Sequence, residues 1–165
     1  NANIYSDDLT DNIELSDVGY LLAMTGNDEI NRQAMSRFGK QFGENGTFRL
    51  MTSNELLRKE EVKTNEIFSN THDYIKFTEV ARDYPSIQEI EVTDKNMFFR
   101  VLEMIRDNKD AIALFIKDPS GHIDLLDTID DVQVENGSVI AYLGKPIDFE
   151  DVITATQEES SNPET

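Results

Sequence analysis

The sequence contains no cysteine. This absence excludes a disulfide framework, a thiolate nucleophile and a cysteine-ligated zinc site, and it suits a reducing compartment such as the cytosol. Apolar residues make up 38% of the 165 residues, yet no apolar run approaches the roughly 18 to 20 residues that a membrane-spanning helix needs. The chain also opens without a basic and apolar leader. We therefore expect a soluble chain that does not itself insert into a membrane.

Basic residues are few: the chain has 15 Lys and Arg and 33 Asp and Glu. Its formal net charge is therefore −18. Nucleic acids and anionic lipid surfaces are bound mainly through Lys and Arg, so we expect neither as a partner. Residues 147–165 are predicted to form a solvated acidic tail. From residue 146 onward the chain has no Lys or Arg, and its acids are Asp148, Glu150, Asp151, Glu158, Glu159 and Glu164.

Two glycine-rich phosphate-binding motifs and a catalytic histidine pattern are lacking as well. Neither G-x-G-x-x-G nor G-x-x-x-x-G-K-[ST] occurs, so pyrophosphate binding is unsupported, and a nucleotide is only one candidate for an unknown cofactor. The two histidines, His72 and His122, belong to no metal or triad pattern. We therefore predict no catalytic residue, no metal ligand and no enzyme activity. The segment "DLLDTIDD" lacks the central Gly of a calcium loop, so we interpret its aspartates as solvated: Asp124, Asp127, Asp130 and Asp131.

The first part of the chain has the pattern of a parallel strand–helix–strand crossover. "YLLAMT" predicts a buried strand, "NDEINRQAMSRFGKQFG" predicts a helix, and "TFRLM" predicts a second strand entered through an Asn45-Gly46 turn. The predicted inward face of the helix is Ile30, Ala34, Phe38 and Phe42. Residues 1–60 are thus expected to be half of a Rossmann-like sheet, incomplete at its front.

The second part, residues 61–146, is predicted to be a small α+β domain. A helix from Thr71 is expected to end before Pro85, with an apolar face of Tyr74, Phe77, Ala81 and Tyr84. "IQEIEV", "AIALFIK", "HIDLL" and "SVIAYL" are strand candidates, with turns at residues 118–121 and 135–137. The helix "NMFFRVLEMIRDN" is expected to turn inward Phe98, Val101, Leu102 and Ile105. The predicted fold class is α/β, a partial Rossmann-like parallel sheet unit followed by this α+β domain.

A polar corner follows the first strand, and two interpretations of it stay open. The corner consists of Thr25, Gly26, Asn27, Asp28 and Asn31. In one interpretation, Thr25 and Asp28 form a capping box and only begin the helix. In the other, the corner binds a ligand, because ligands of open parallel sheets lie beyond the carboxyl ends of the strands. Asp28 and Glu29 oppose a bare phosphate at this helix terminus, so a nucleoside hydroxyl or base edge fits better.

The stretch "LLAMTGNDEINRQAMSRFGKQFG" followed by "TFRLM" resembles the later half of the TrkA/RCK nucleotide-binding domain. The variant it resembles lies on the cytosolic C-terminus of bacterial sodium/proton antiporters of the monovalent cation:proton antiporter superfamily. The later segments "ALFIKDPSGHIDLL" and "ENGSVIAYL" are similar to the closing strands of that region, so the resemblance covers about residues 3 to 146. The segment "LLRKEEVKTNEIF" departs from the pattern.

The resemblance implies a regulatory module at the cytoplasmic face of the bacterial inner membrane, dimeric and attached to the transmembrane antiporter domain of the same polypeptide. In such a module the polar corner senses a ligand or ion and biases transport. Two alternatives are an oligomerisation or protein-interaction domain without a ligand, and the remnant of a nucleotide-binding enzyme. The enzyme alternative requires a Gly-rich turn and a positioned acid or base, which the sequence lacks.

Overall fold

The computed structural model describes residues 19–42, 46–58, 67, 73–126 and 132–150. The chain divides into two compact units, Asn1–Ile75 and Lys76–Thr165. The first contains a two-stranded parallel sheet and the second a four-stranded antiparallel sheet, each with helices. The predicted α/β class is therefore confirmed. The predicted boundary at residue 60 lies outside the described residues.

The first unit is built on the predicted strand–helix–strand crossover. Strand β1 is Leu21–Ala23, helix α1 is Asp28–Phe42 and strand β2 is Thr47–Arg49. The two strands are parallel, with Leu22 opposite Phe48, and both are shorter than predicted. On the far side of β2 the backbone N–H of Ile67 donates to the carbonyl of Arg49 over 3.0 Å. Ile67 thus lies against β2, on the side opposite β1.

Helix α1 packs on this sheet through the centre of its predicted face. Ala34 and Phe38 are buried as expected, whereas Ile30 and Phe42 at the two ends of the face are half-buried. A polar residue, Asn31, is the third buried position of the helix. Gly43 and Asn45, the predicted helix end and turn, lie outside the described residues.

Two short helices follow β2. Helix α2, Ser53–Arg58, was not predicted, because its sequence is short and mostly polar. Helix α3 is Tyr74–Asp83 and ends before Pro85 as expected, while its predicted start at Thr71 lies outside the described residues. The predicted apolar face of α3 is confirmed in part: its four residues are half-buried, but the prediction omitted Val80, which is 2% exposed. Val80 follows Phe77 by three residues and precedes Tyr84 by four, so it lies on the same side of the helix as the predicted face.

The second unit is one antiparallel sheet with a helix packed on it. Its elements are β3 (Ile87–Val92), α4 (Lys95–Asp107), β4 (Ala111–Lys117), β5 (Ile123–Leu125) and β6 (Ser138–Gly144), and the strand order is β3-β6-β4-β5. Because β6 lies between them and runs antiparallel to both, β3 and β4 are parallel, and α4 connects them as a split β-α-β unit. All five elements were predicted from the sequence.

The turns of this unit have the conformations that their sequences require. Gly121 has a φ of +93° in the β4–β5 hairpin, where Asp118 Oδ1 accepts hydrogen bonds from Ser120 Oγ and the N–H of His122 over 2.7 and 2.8 Å. Gly137 has a φ of +89° in the turn that enters β6. This is a reverse turn and does not join β5 and β6 as a hairpin, because β6 pairs with β3 and β4 and not with β5.

The core of the second unit lies between α4 and the sheet. Asp94 caps the helix by accepting from the N–H groups of Asn96 and Met97 over 2.8 and 3.0 Å. The four predicted inward residues of α4 are all buried, and Met97 joins them. Each fully buried apolar side chain contributes about 1.5 to 3 kcal/mol. Phe149, within the predicted acidic tail, is 6% exposed and packs edge-on against Tyr142 at a centroid distance of 6.1 Å. Residues 151–165 lie outside the described residues.

We predict that Gly144→Ala destabilises the second unit by roughly 2 to 3 kcal/mol in urea unfolding. Gly144 ends β6 with a φ of +143°, and a Cβ there overlaps the carbonyl oxygen of Asp110. The matched control is Gly121→Ala, because Gly121 also has a positive φ but has nothing within 4 Å of an added Cβ. The control should lose only about 1 kcal/mol from backbone strain. Equal losses at the two positions would show that the close approach of Asp110 carries no cost.

Candidate functional site

The polar corner lies at the carboxyl end of the parallel strand pair. The N–H of Leu50 donates to the carbonyl of Ala23 over 3.0 Å, so the carboxyl ends of β1 and β2 are adjacent. Thr25, Gly26 and Asn27 are exposed in the connection from β1 to α1, and Asp28 is half-buried. The expected position beyond the strand ends is therefore the observed one.

Asn27, and not Thr25, caps α1. Asn27 Oδ1 accepts from the N–H of Ile30 over 3.1 Å, and the Asn27 carbonyl accepts the first helical hydrogen bond, from Asn31, over 3.1 Å. The predicted capping box between Thr25 and Asp28 was wrong, because the helix begins two residues later than that box requires. The Thr25 hydroxyl instead donates to Asn31 Oδ1 over 2.7 Å and accepts from the N–H of Asn27 over 3.3 Å.

The side chain of Asn31 joins the ends of both strands and is 0% exposed. Its Oδ1 accepts from the N–H of Thr25 over 3.0 Å, and its Nδ2 donates to the carbonyls of Thr25 and Leu50 over 2.9 and 3.3 Å. With the Thr25 hydroxyl, these bonds use both donors and both acceptor sites of the amide. We call this set, Asn31 with Thr25 and Leu50, the Asn31 bridge. Asn31 pairs with both backbone groups of Thr25 as a neighbouring strand does.

Gly26 is held close to an aromatic ring. A Cβ added at Gly26 comes within 3.0 Å of ring carbons Cδ1 and Cε1 of Tyr74. The backbone of Tyr74 is anchored near β2, because its N–H donates to the carbonyl of Met51 over 3.0 Å. The ring therefore flanks one side of the exposed turn, which has no room for a larger residue at position 26 unless Tyr74 moves.

A buried carboxylate lies in the same unit, beyond the end of β2. Glu55 is 1% exposed and accepts from Arg49 Nη1 at both oxygens, over 2.7 and 2.9 Å, and from Arg32 Nη2 over 2.6 Å. Its Oε2 also accepts from the N–H and the hydroxyl of Thr52 over 3.0 and 3.1 Å. The bond to the Thr52 N–H is half of a capping box over "TSNE", residues 52–55, at the start of α2.

The surroundings of Glu55 determine its protonation. Burial by itself raises the pKa of this carboxyl, but the hydrogen bond from the Thr52 N–H, the charge of Arg49 and the side-chain hydrogen bonds outweigh burial, so the pKa lies below its ordinary value. Glu55 is thus ionised at neutral pH. A buried carboxylate is tolerated here because two guanidinium groups and an amide replace its hydration.

The structure brings only part of the predicted site together. Thr25 and Asn31 are in direct contact, whereas Gly26 and Asn27 face outward and the Asp28 carboxylate forms no ion pair or hydrogen bond with the described residues. Sequence reasoning missed Glu55, Arg49 and Arg32. The T-x-x-E spacing at residues 52–55 was a readable signal for Glu55, but nothing local indicates that two distant arginines converge on it.

The remaining candidates are structural or undescribed. His122 Nε2 lies 3.2 Å from Asp124 Oδ1 at the exposed end of the β4–β5 hairpin. His72 and the aspartates at 127, 130 and 131 lie outside the described residues. Within the described ranges, no group of three His, Asp or Glu side chains is arranged to hold a metal ion.

No protein family, curated protein or solved structure was found to match this sequence. Among the described residues, no helix is both long and apolar enough to cross a membrane.

We predict that Asn31→Asp destabilises the protein by roughly 2 to 4 kcal/mol in urea unfolding at neutral pH. The substitution preserves size but removes the Nδ2 donor, so the carbonyls of Thr25 and Leu50 lose a partner and a charge becomes buried. Asn27→Asp is the matched control, because Asp caps a helix as well as Asn and position 27 is exposed. If both variants unfold at the same urea concentration, the Asn31 bridge does not stabilise the fold.

A second prediction concerns acid unfolding. Because the folded-state pKa of Glu55 is lowered from its ordinary value of 4.5, its ionised form stabilises the fold above that value. This contribution is lost as the pH falls through the folded-state pKa. Glu55→Gln should therefore be less stable than the parent at neutral pH, and the difference should shrink as the pH falls below 4.5. Urea unfolding across this range measures it, with the exposed Glu103→Gln as control. A pH-independent difference would mean that ionisation of Glu55 does not matter.

Proposed function

We propose that this chain is the non-enzymatic regulatory region of a bacterial sodium/proton, or monovalent cation:proton, antiporter. The sequence resemblance to TrkA/RCK regions supports the proposal. So does the order of the two units, a parallel strand–helix–strand crossover followed by a small unit with an antiparallel sheet. In this proposal the chain lies at the cytoplasmic face of the inner membrane, acts as a homodimer, and has the transmembrane domain of the same polypeptide as its main partner.

The observation that carries the proposal is an exposed polar turn held rigidly at the end of a parallel strand pair. Thr25, Gly26 and Asn27 form an exposed turn, and the Asn31 bridge fixes Thr25 at the ends of both strands. Asn31 acts in this site as a positioning residue, because its amide is already fully hydrogen-bonded inside the protein. The residues that contact the ligand directly in this proposal are Thr25, Gly26, Asn27 and Asp28.

Charge selects the kind of ligand. Asp28 and Glu29 occupy the first turn of α1 and oppose a bare phosphate at the positive end of the helix dipole. A nucleoside hydroxyl, a base edge or a monovalent cation is compatible with these carboxylates. A ligand that distinguishes two arrangements of the chain needs to supply only about 1 to 3 kcal/mol of coupling to change transport several-fold.

The test is a melting experiment on this chain with ATP, ADP, NAD+ and adenosine, and separately with Na+, K+ and Li+ against choline at equal ionic strength. A ligand that prefers the folded state raises the melting temperature, by an amount that corresponds to about 2.7 kcal/mol at 100 times its Kd. Asn27→Ser with Asp28→Asn should abolish the shift while keeping a capping oxygen at position 27. Glu103→Gln, which neutralises an exposed acid on α4, should keep it.

A second candidate function, a protein-interaction or oligomerisation domain without a ligand, is favoured by one observation. All four hydrogen-bonding positions of Asn31 are filled by the protein itself, so the polar corner is complete without a ligand. If none of the probes shifts the melting temperature while the chain still dimerises, this second function replaces the first.

A further inference from the structure

Strand β3 ends the four-stranded sheet on one side. It pairs with β6 along its whole length, from Ile87 opposite Leu143 to Val92 opposite Ser138. Among the described residues, no strand is hydrogen-bonded to its other side. Alternate residues of this six-residue strand therefore present backbone N–H and C=O groups to which another extended segment can bind.

The side chains along this edge are acidic on one face. Ile87, Glu89 and Glu91 alternate on the face turned away from the core and are exposed. Ile90 points to the other face, where it packs against the core beneath α4. The carboxylates of Glu89 and Glu91 form no ion pair or side-chain hydrogen bond with the described residues. The edge thus has two adjacent negative charges without a counter-charge.

These charges disfavour a second copy of this chain at the same edge. A two-fold axis perpendicular to the sheet pairs β3 with itself in antiparallel fashion and keeps the faces aligned. When the axis passes through Ile90, Glu89 of each copy lies opposite Glu91 of the other. When the axis passes through Glu89, the two Glu89 side chains lie opposite each other. Like charges directly opposite across strands are destabilising, so the extended symmetric registers are unfavourable.

We propose that the β3 edge binds an extended basic segment of a partner protein as a fifth strand. Every pairing in this sheet is antiparallel, and the added strand continues that pattern. Lys or Arg side chains of the segment lie opposite Glu91 and Glu89, and an apolar side chain lies opposite Ile87. The alternation basic-x-basic-x-apolar gives the specificity, and the backbone ladder gives the affinity.

This surface belongs to the second unit and is independent of ligand binding at the polar corner. Electrostatic attraction alone does not distinguish the edge from the rest of a chain whose net charge is −18. The experiment must therefore separate the backbone ladder from the general charge.

The probe is an acetylated and amidated peptide with the central sequence Lys-Val-Lys-Thr-Val. Binding is followed by amide NMR shifts, and hydrogen exchange reports where the peptide lies. We expect the outward N–H groups of β3, at alternate residues of Ile87–Val92, to gain protection when the peptide is bound. The control peptide has the same sequence and charge but is N-methylated at alternate amides, which removes the ladder donors. It should bind at least about tenfold more weakly.

Two protein variants with equal changes of net charge complete the test. Glu89→Lys with Glu91→Lys should weaken peptide binding by about tenfold, because two attractive cross-strand pairs become repulsive. Glu103→Lys with Asp107→Lys, on the exposed side of α4, should leave it within about twofold at moderate salt.

Four outcomes would overturn the proposal. One is the absence of peptide binding, which would mean that the two glutamates only protect the edge from pairing. Another is equal binding of the methylated peptide, and a third is an equal effect of the two charge variants, since either would show that general charge suffices. The fourth is concentration-dependent protection of β3 without any peptide, which would indicate self-association instead.

Discussion

Two parallel strands of three residues each make few ladder hydrogen bonds, and parallel strands are usually found inside larger, fully covered sheets. The amide of Asn31 supplies part of what is lacking. It satisfies both backbone groups of Thr25 and the carbonyl of Leu50, and so ties α1 to the ends of β1 and β2. Because a buried backbone group without a partner costs about 1 to 3 kcal/mol, this one side chain holds the strand ends together and sets the conformation of the exposed turn.

The acids of this chain have different roles in different environments. Glu55 is buried, ionised and surrounded by donors, and it links α2 to β2 and α1 through Arg49 and Arg32. The exposed Glu89 and Glu91 lack such donors, and their charge acts outward along the β3 edge. Glu55 therefore belongs to the internal architecture of the first unit, whereas the other two define the surface of the second.

Sequence reasoning predicted the elements of the second unit well, because its apolar periodicity is strong. The inward residues of α4 follow the helical spacing, and Gly121 and Gly137 mark turns that require positive φ. Reasoning was weaker in the first unit. Thr25 and Asp28 have the spacing of a capping box, but Asn27 is the cap. In the second unit, the predicted apolar face of α3 omitted Val80, the buried residue of that helix. Short polar helices such as α2 offer no periodicity from which to predict them.

Apolar pattern and turn chemistry in the sequence alone determined the α/β class, the crossover of the first unit and the order of strands and helix in the second. Only the tertiary structure decided which polar groups are buried and what they bind. The partners of Asn31 and Glu55 include Leu50 and Arg32, 19 and 23 residues away along the chain. A local pattern specifies which face of an element is apolar. It does not specify which distant donor meets a buried acceptor, because that depends on how the elements pack.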